Sequence, residues 1–275
     1  MSVTLGYSPC PNDTFIFYAL VHGKIAGAPA CEEVLEDIET LNAMAMGGEL
    51  DLTKISFHAL AHLRDQYCLL HSGGALGRGC GPLVVAKGGV APGQLRHKKI
   101  AIPGQLTTAA LLLRLFDAEI SRLDVLPFDK IIGATARGEV DAGVIIHESR
   151  FTYPAYGLEK VIDLGEWWEQ STGHPIPLGG ILARRSLGPE LIGRIDRALA
   201  QSVEYAHAHP EAVRGYIRAH AQEMDEAVMQ AHIDLYVNEY TLDYGAVGAA
   251  AIFDLIARAE RAGIAPASTA PLFVS

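Results

Sequence analysis

Over the first 150 residues, short apolar runs that end in Pro-, Ser- or Gly-bearing turns alternate with stretches of helical spacing. This alternation limits the possible folds more than any other feature of the chain. In "SVTLGYSPCPNDTFIFYALVHGKI" a strand ends at Pro9, and a helix capped by Asn12 or Asp13 stops near Gly23. "PACEEVLEDIETLNAMAMGGELDLTKISFHALAHLRDQY" reads as a strand, a helix from about Glu39 to Met46, a turn at Gly47-Gly48, the short strand "LTKIS" and a helix from Phe57. A second block begins at "KKIAIPG", continues in a helix opening at Thr107-Thr108, and passes through "DVLPFDKIIGATARGEVDAGVIIHESR", with a helix ending near Gly138 and a strand running up to His147. Alternation of this kind specifies an α/β sheet architecture.

Between the blocks lies "SGGALGRGCGPLVVAKGG", Gly-rich up to Gly81 and strand-like from Pro82 to Ala86. It has no Walker lysine followed by Ser or Thr, and its glycines precede a strand rather than a helix. It therefore reads as a chain crossing that needs positive φ and close backbone approach, not as a phosphate loop. After "IPLGGILARRSLG" the sequence becomes helical to near its end, with apolar stripes suited to packing.

With 49% hydrophobic and 20% charged residues in 275, the chain can build a substantial core, and two lobes are expected. A formal net charge of −10 argues against a nucleic-acid partner, because neutralising a phosphate backbone needs a basic field. The opening "MSVTLGYSPC" lacks the basic and apolar regions of a secretory signal, and no run is apolar for the roughly eighteen residues a membrane span needs. A soluble, cytoplasmic protein without membrane contact is expected. Cys10, Cys31, Cys68 and Cys80 show no C-x-x-C spacing and the histidines form no H-E-x-x-H pair, so free thiols and no metal site are expected.

In open α/β sheets, ligands sit outside the carboxyl ends of strands. Four turns qualify: "SPCPNDT", "LTKIS", "PGQLTTA" and "IIHES". Thr107 and Thr108 would put hydroxyls and free N–H groups at a helix start, either an anion site or an ordinary N-cap. Lys54 and Ser56 flank Ile55 and point to one side, toward a ligand or along an exposed strand edge. His147 has the residue type for a general base near neutrality, or it is a structural histidine at a strand end. Arg78 and Arg150 are the local cations for an acidic ligand, and Arg184-Arg185 reads as a solvated strand end. Trp167-Trp168 reads as packing, and His207, His209, His220 and His232 as surface or packing residues.

The stretches "SPCPNDTFIFYALVHGKI", "LTKIS", "SGGALGRGCGPLVV", "TTA", "GEVDAGVIIHESRFTYPAYGL" and "DLGEWWEQSTGHPIPLGGILARR" together resemble the 1,4-dihydroxy-6-naphthoate synthases of the futalosine route to menaquinone. The resemblance implies a fold like the type II periplasmic binding proteins, with two α/β lobes around a central cleft. Lobe one would be 1–84 and 181–275, lobe two 85–180, with crossover strands near 82–87 and 178–184. It implies a small-molecule substrate, cyclic dehypoxanthine futalosine, converted without a cofactor to 1,4-dihydroxy-6-naphthoate as a sugar-derived fragment leaves. The family's proton-accepting histidine matches His147, and its substrate contacts match Lys54, Ile55, Ser56, Thr107 and Thr108. Asn12 and Arg78 complete the candidate set.

A solute-binding protein of the same fold would be expected to carry a signal peptide or lipoprotein cysteine. A transcription-factor effector domain would be expected to follow a helix-turn-helix. The chorismate dehydratase of the same pathway is the nearer alternative, and "IIHESRFTYP" is the stretch that favours the naphthoate synthase.

Overall fold

The computed structural model describes residues 2–221 and 225–274. The chain opens with β1 (Ser2–Tyr7), α1 (Pro11–Val21), β2 (Ala30–Leu35), α2 (Ile38–Met46), β3 (Leu52–Ser56), α3 (Phe57–Leu63), β4 (Tyr67–Leu69) and β5 (Ala75–Gly77). It continues through β6 (Leu83–Ala86), β7 (Ile100–Ile102), α4 (Thr108–Phe116), β8 (Leu123–Val125), α5 (Phe128–Arg137), β9 (Ala142–Ile145), α6 (Ser149–Thr152), β10 (Glu159–Asp163) and α7 (Leu164–Thr172). The long strand β11 (Ile176–Arg184) leads into α8 (Pro189–Ala208), α9 (Pro210–His220), α10 (Glu226–Tyr236), α11 (Glu239–Leu242) and α12 (Gly245–Arg261).

These strands form two sheets. The first has the order β2-β1-β3-β11-β4, with β5 also paired to β11, and the second the order β10-β6-β9-β7-β8. Parallel pairs β1–β2, β1–β3, β7–β8 and β7–β9 come from the βα units read in the sequence. The antiparallel strands β6 and β11 are where the chain enters the second sheet and returns to the first. β3 lies between β1 and β11, so the reading of Lys54 and Ser56 as an exposed strand edge does not hold.

Local chemistry explains most boundaries. Asp37 caps α2 by accepting from the N–H groups of Glu39 (2.9 Å) and Thr40 (3.2 Å), and Asp163 caps α7 through Gly165 and Glu166. Helix α5 ends on Gly138 in the left-handed region, which glycine occupies without a Cβ penalty. The N-cap of α1 is Cys10, not Asn12 or Asp13: Pro11, pre-set in φ, takes the first helical position. The helical stretch that opens at Pro189 breaks at His209, because a residue before proline is pushed out of the α region.

The Gly-rich crossing behaves as its composition requires. A Cβ on Gly81 would lie 2.3 Å from the Cα of Gly165, so these two segments touch backbone to backbone. Arg184 and Arg185 are half-buried rather than solvated: the Arg184 guanidinium lies 5.9 Å from the Tyr67 ring, and Arg185 Nε donates to the Arg64 carbonyl at 3.0 Å.

One apolar cluster joins the two sheets. It takes Leu60 from α3, Val84 from β6, Leu111 and Leu112 from α4, Trp168 from α7 and Leu255 from α12, all fully buried. Each such side chain contributes about 1.5–3 kcal/mol relative to exposure. Helix α1 packs on α8, α9 and α10, which places its first turn between the first sheet and the C-terminal helices. Among the described residues, no helix is long and apolar enough to cross a membrane.

Candidate functional site

One cleft is lined from both sheets. Its empty space, counting the open mouth, is about 660 Å³. Asn12 and Asp13 reach it from α1, Lys54 and Ser56 from β3, Thr107 and Thr108 from the start of α4, His147 from the end of β9, and His232 from α10.

Strand alternation directs Lys54 and Ser56 inward and sends the Ile55 side chain into the apolar core, so Ile55 could meet a ligand only through its main chain. Lys54 Nζ sits 2.7 Å from Asp13 Oδ1, and both side chains are nearly fully buried. Asp13 also accepts from Asn12 Nδ2 (2.8 Å), Ser8 Oγ (2.8 Å) and the Ser8 N–H (3.3 Å). Lys54, which the strand alternation turns inward, is therefore already paired. From the sequence Asp13 reads only as a possible cap, because a carboxylate after "SPCPN" looks like turn chemistry.

Ser56 is held by Asn42, which accepts the Ser56 N–H at 3.0 Å and directs Nδ2 to Ser56 Oγ at 3.3 Å. Glu39, one turn earlier on α2, accepts from Asn42 Nδ2 and from the Leu106 N–H at 3.2 Å, tying α2 to the loop before α4. Thr107 is the N-cap of α4: its Oγ1 accepts the Ala110 N–H at 3.2 Å and donates to the Gly104 carbonyl at 2.8 Å. Its hydroxyl is thus used internally. Thr108 Oγ1 donates to the Leu178 carbonyl at 2.5 Å, a contact between α4 and β11. The helix N-terminus still opens on the cleft and favours negative charge there.

His147 has φ of +54°, the only non-glycine among the described residues in the left-handed region. That backbone state costs on the order of 1–3 kcal/mol and tends to be retained where function requires it. The ring lines the cleft, lies edge-on to Phe128 with centroids 5.0 Å apart, and stacks against His232 at 6.1 Å and 17°. Burial pushes its pKa down to about 4; Asp13 opposes this and Lys54 adds to it. The imidazole is therefore neutral at pH 7 and able to accept a proton. Its Nδ1 is 3.5 Å from Cys10 Sγ, and burial, with Glu148 second, pushes the Cys10 thiol well up, so that sulfur stays protonated.

His232, read as a surface or packing residue, belongs to the cleft. It is 1% exposed, and its Nε2 lies 3.0 Å from Asn12 Oδ1. Because Asn12 Nδ2 donates to Asp13, its oxygen faces His232 and must accept, which puts the His232 proton on Nε2 and leaves Nδ1 as a lone pair. Burial holds this ring neutral, well below the ordinary histidine range. Its place on the apolar face of α10, beside Met229, Ile233 and Tyr236, was the available sequence signal, and that pattern looks like packing.

The two arginines take other roles. Arg78 lies outside the cleft lining: its guanidinium is half-exposed, donates to the Gly173 carbonyl at 2.9 Å and sits 3.5 Å from Glu169. Its substrate-binding assignment is corrected, since the Gly-rich crossing carries it to the outer surface. Arg150 donates to the carbonyls of Gly79 and Gly81 and pairs with Asp163 at 2.8 Å, so it fastens the crossing. Trp168 is fully buried with Nε1 donating to the Pro175 carbonyl, and Trp167 packs on Phe116, as the packing reading requires.

A family model described as "Menaquinone biosynthesis" matches residues 3–261. A Thermus thermophilus protein named 1,4-dihydroxy-6-naphthoate synthase is 54% identical over 273 residues, 99% of each chain. The chain belongs to the 1,4-dihydroxy-6-naphthoate synthase family of menaquinone biosynthesis. A Streptomyces coelicolor protein of the same name is 50% identical over 97% of this chain and 95% of its own. Among solved structures, an Archaeoglobus fulgidus protein 39% identical to this synthase-family chain superposes with a TM-score of 0.90, covering 96% of this chain and 98% of that one. A Candida albicans protein described as having the generic periplasmic binding protein fold is 13% identical with a TM-score of 0.68, covering 98% and 92%. That distant likeness speaks to fold alone. The synthase family therefore has here the two-lobed α/β architecture of the periplasmic binding proteins.

Proposed function

We propose that this chain is a carbon–carbon lyase that converts cyclic dehypoxanthine futalosine to 1,4-dihydroxy-6-naphthoate, with His147 as the base. The observation that carries the reading is the backbone-strained His147 facing a cleft lined from both sheets. When Nδ1–H points at Cys10 Sγ, the Nε2 lone pair is left to take the proton.

His147 removes a carbon-bound proton from the substrate, and the electron pair moves into the ring system. The bond to the sugar-derived fragment then breaks, and the new ring becomes aromatic. The buried imidazolium is disfavoured, so it returns its proton as the fragment leaves, and no net proton is consumed. Positioned proton transfer of this kind contributes about 10²–10⁴-fold. Lys54, Ser56 and the N-terminus of α4 hold the substrate from opposite walls, and the helix end supplies positive potential for its carboxylate. Asn12 acts through His232 and Asp13 rather than by direct contact alone. The two sheets act as lobes, 1–84 with 181–275 and 85–180, that close over the ligand at the crossing strands.

Purified protein incubated with cyclic dehypoxanthine futalosine should release 1,4-dihydroxy-6-naphthoate, and with chorismate should release no dehydrated product. His147→Ala should abolish turnover while ligand binding persists. Dehydration of chorismate would move the chain to the alternative activity in the same pathway. Binding without turnover in the natural protein would make it a binding protein of this fold.

A further inference from the structure

The donor atoms of Cys10, His147 and Glu148 lie within 4.8 Å of one another, with His147 lining the cleft and Cys10 and Glu148 buried behind it, although 137 residues separate Cys10 from His147. The start of α1 supplies the sulfur, and the turn after β9 supplies the nitrogen and the carboxylate. No spacing rule could find such a set, because the fold assembles it. The observed Nδ1–Sγ separation of 3.5 Å falls within the donor–donor edge of a tetrahedral shell, about 3.3–3.8 Å for nitrogen and sulfur ligands at ordinary bond lengths. A further nitrogen lies beside Glu148, outside that mutual 4.8 Å set. His232 Nδ1 is buried, has no hydrogen-bond partner among the described residues, and lies 3.9 Å from Glu148 Oε1. Its tautomer, set by Asn12, presents a lone pair rather than a proton.

We propose that Cys10, His147 and Glu148, with His232 Nδ1 as the adjoining fourth donor, form a site for a thiophilic divalent cation of the zinc class, and that the cation switches the cleft off. Mixed sulfur, imidazole and carboxylate donors suit Zn²⁺ or Co²⁺ and disfavour Mg²⁺ and Ca²⁺, which take oxygen shells. The cleft reaches the cluster at His147 and His232, which line it. Binding forms the metal–sulfur bond and releases the thiol proton to solvent, with no change of oxidation state. Metallation at His147 Nδ1 leaves the ring proton on Nε2, so the nitrogen that would take the substrate proton is occupied. This inhibitory half rests on His147 being the base, whereas the binding itself does not.

Cobalt is the probe for binding. Protein treated with chelator and then titrated with Co²⁺ should gain a near-ultraviolet thiolate-to-cobalt absorption and tetrahedral visible bands that saturate at one equivalent. Cys10→Ser, checked for folding by its melting temperature, should lose the thiolate absorption. Cys31→Ser, which alters a thiol outside the cluster, should keep it. Glu148→Gln should weaken Co²⁺ binding at least tenfold. Absence of the absorption from the natural protein, or its survival in Cys10→Ser, would overturn the site. With the substrate assay, stoichiometric Zn²⁺ should suppress turnover at least tenfold, reversibly by chelator. Cys10→Ser, measured against its own metal-free rate, should escape that suppression. Zn²⁺-insensitive turnover alongside a saturating cobalt spectrum would overturn the switch. A natural protein inert toward the substrate but with the cobalt spectrum intact would instead refute the proposed reaction.

Discussion

Lys54 Nζ and Asp13 Oδ1 form a 2.7 Å ion pair inside the cleft wall, joining the middle of β3 to the first turn of α1. The two partners are not equivalent. Without Lys54, Asp13 still accepts from Ser8 Oγ, the Ser8 N–H and Asn12 Nδ2. Without Asp13, the ammonium loses its salt-bridge partner among the described residues. Breaking a buried pair from one side costs about 3–5 kcal/mol. Asp13→Asn should approach that figure and Lys54→Met should fall clearly below it, measured as unfolding free energies in urea. Equal losses would mean that the three neutral donors do not sustain the carboxylate.

His232 holds His147 through ring contact and is itself oriented by Asn12. A substitution that keeps a flat ring but removes the hydrogen bond separates those two effects. His232→Phe should lower kcat about tenfold with little change in KM, and His232→Ala should lower it further, because the stacking surface is lost as well. A residue that positions the base without touching the substrate is expected to show this pattern, with kcat and kcat/KM falling together. A rise in KM at constant kcat would make His232 a substrate contact instead.

Period and punctuation in the sequence locate most of this fold. α2, α4 and α5 are where helical spacing, Thr107 and Gly138 put them, and "LTKIS" is a strand with Lys54 and Ser56 on one side. What escaped the sequence is what depends on long-range partners. Asp13 reads as a cap until β3 brings Lys54 against it, and Cys10 caps the helix instead. His232 sits on an amphipathic helix whose apolar face could have met any surface, and only the packing of α10 on α1 shows that it meets Asn12. Arg78 is a four-atom stem among glycines and Arg150 one in the turn after β9, and their directions follow from backbone turns that composition does not encode.

Those two arginines make the correction testable. Arg78 is half-exposed and its contact with Glu169 is long, so Arg78→Ala should change stability by no more than about 0.5 kcal/mol and leave turnover unaltered. Arg150→Ala removes the donors to the Gly79 and Gly81 carbonyls and leaves Asp163 without its guanidinium. It should destabilise by about 2–4 kcal/mol in denaturant unfolding. A large loss of substrate affinity in Arg78→Ala would restore its assignment as a contact.

His58 supports the site from beneath: its Nδ1 donates to the Thr107 carbonyl at 3.3 Å, at the head of α4. Burial, with His62 second, lowers its pKa from the ordinary 6.5 to about 4. The unfolded chain therefore takes up a proton at this residue before the folded one does. Stability from the neutral ring is fully present above pH 6.5 and is lost as pH falls toward 4, below which both states are protonated and the loss stops growing. A shift of this size corresponds to roughly 3 kcal/mol. His58→Gln keeps a donor for the Thr107 carbonyl but cannot titrate. Urea unfolding at pH 7 and pH 5 should thus show a smaller acid-induced loss in His58→Gln than in the natural protein, by about 1–2 kcal/mol over that interval. An equal loss in both proteins would place the acid sensitivity on other buried groups and would mean that α4 is anchored without His58.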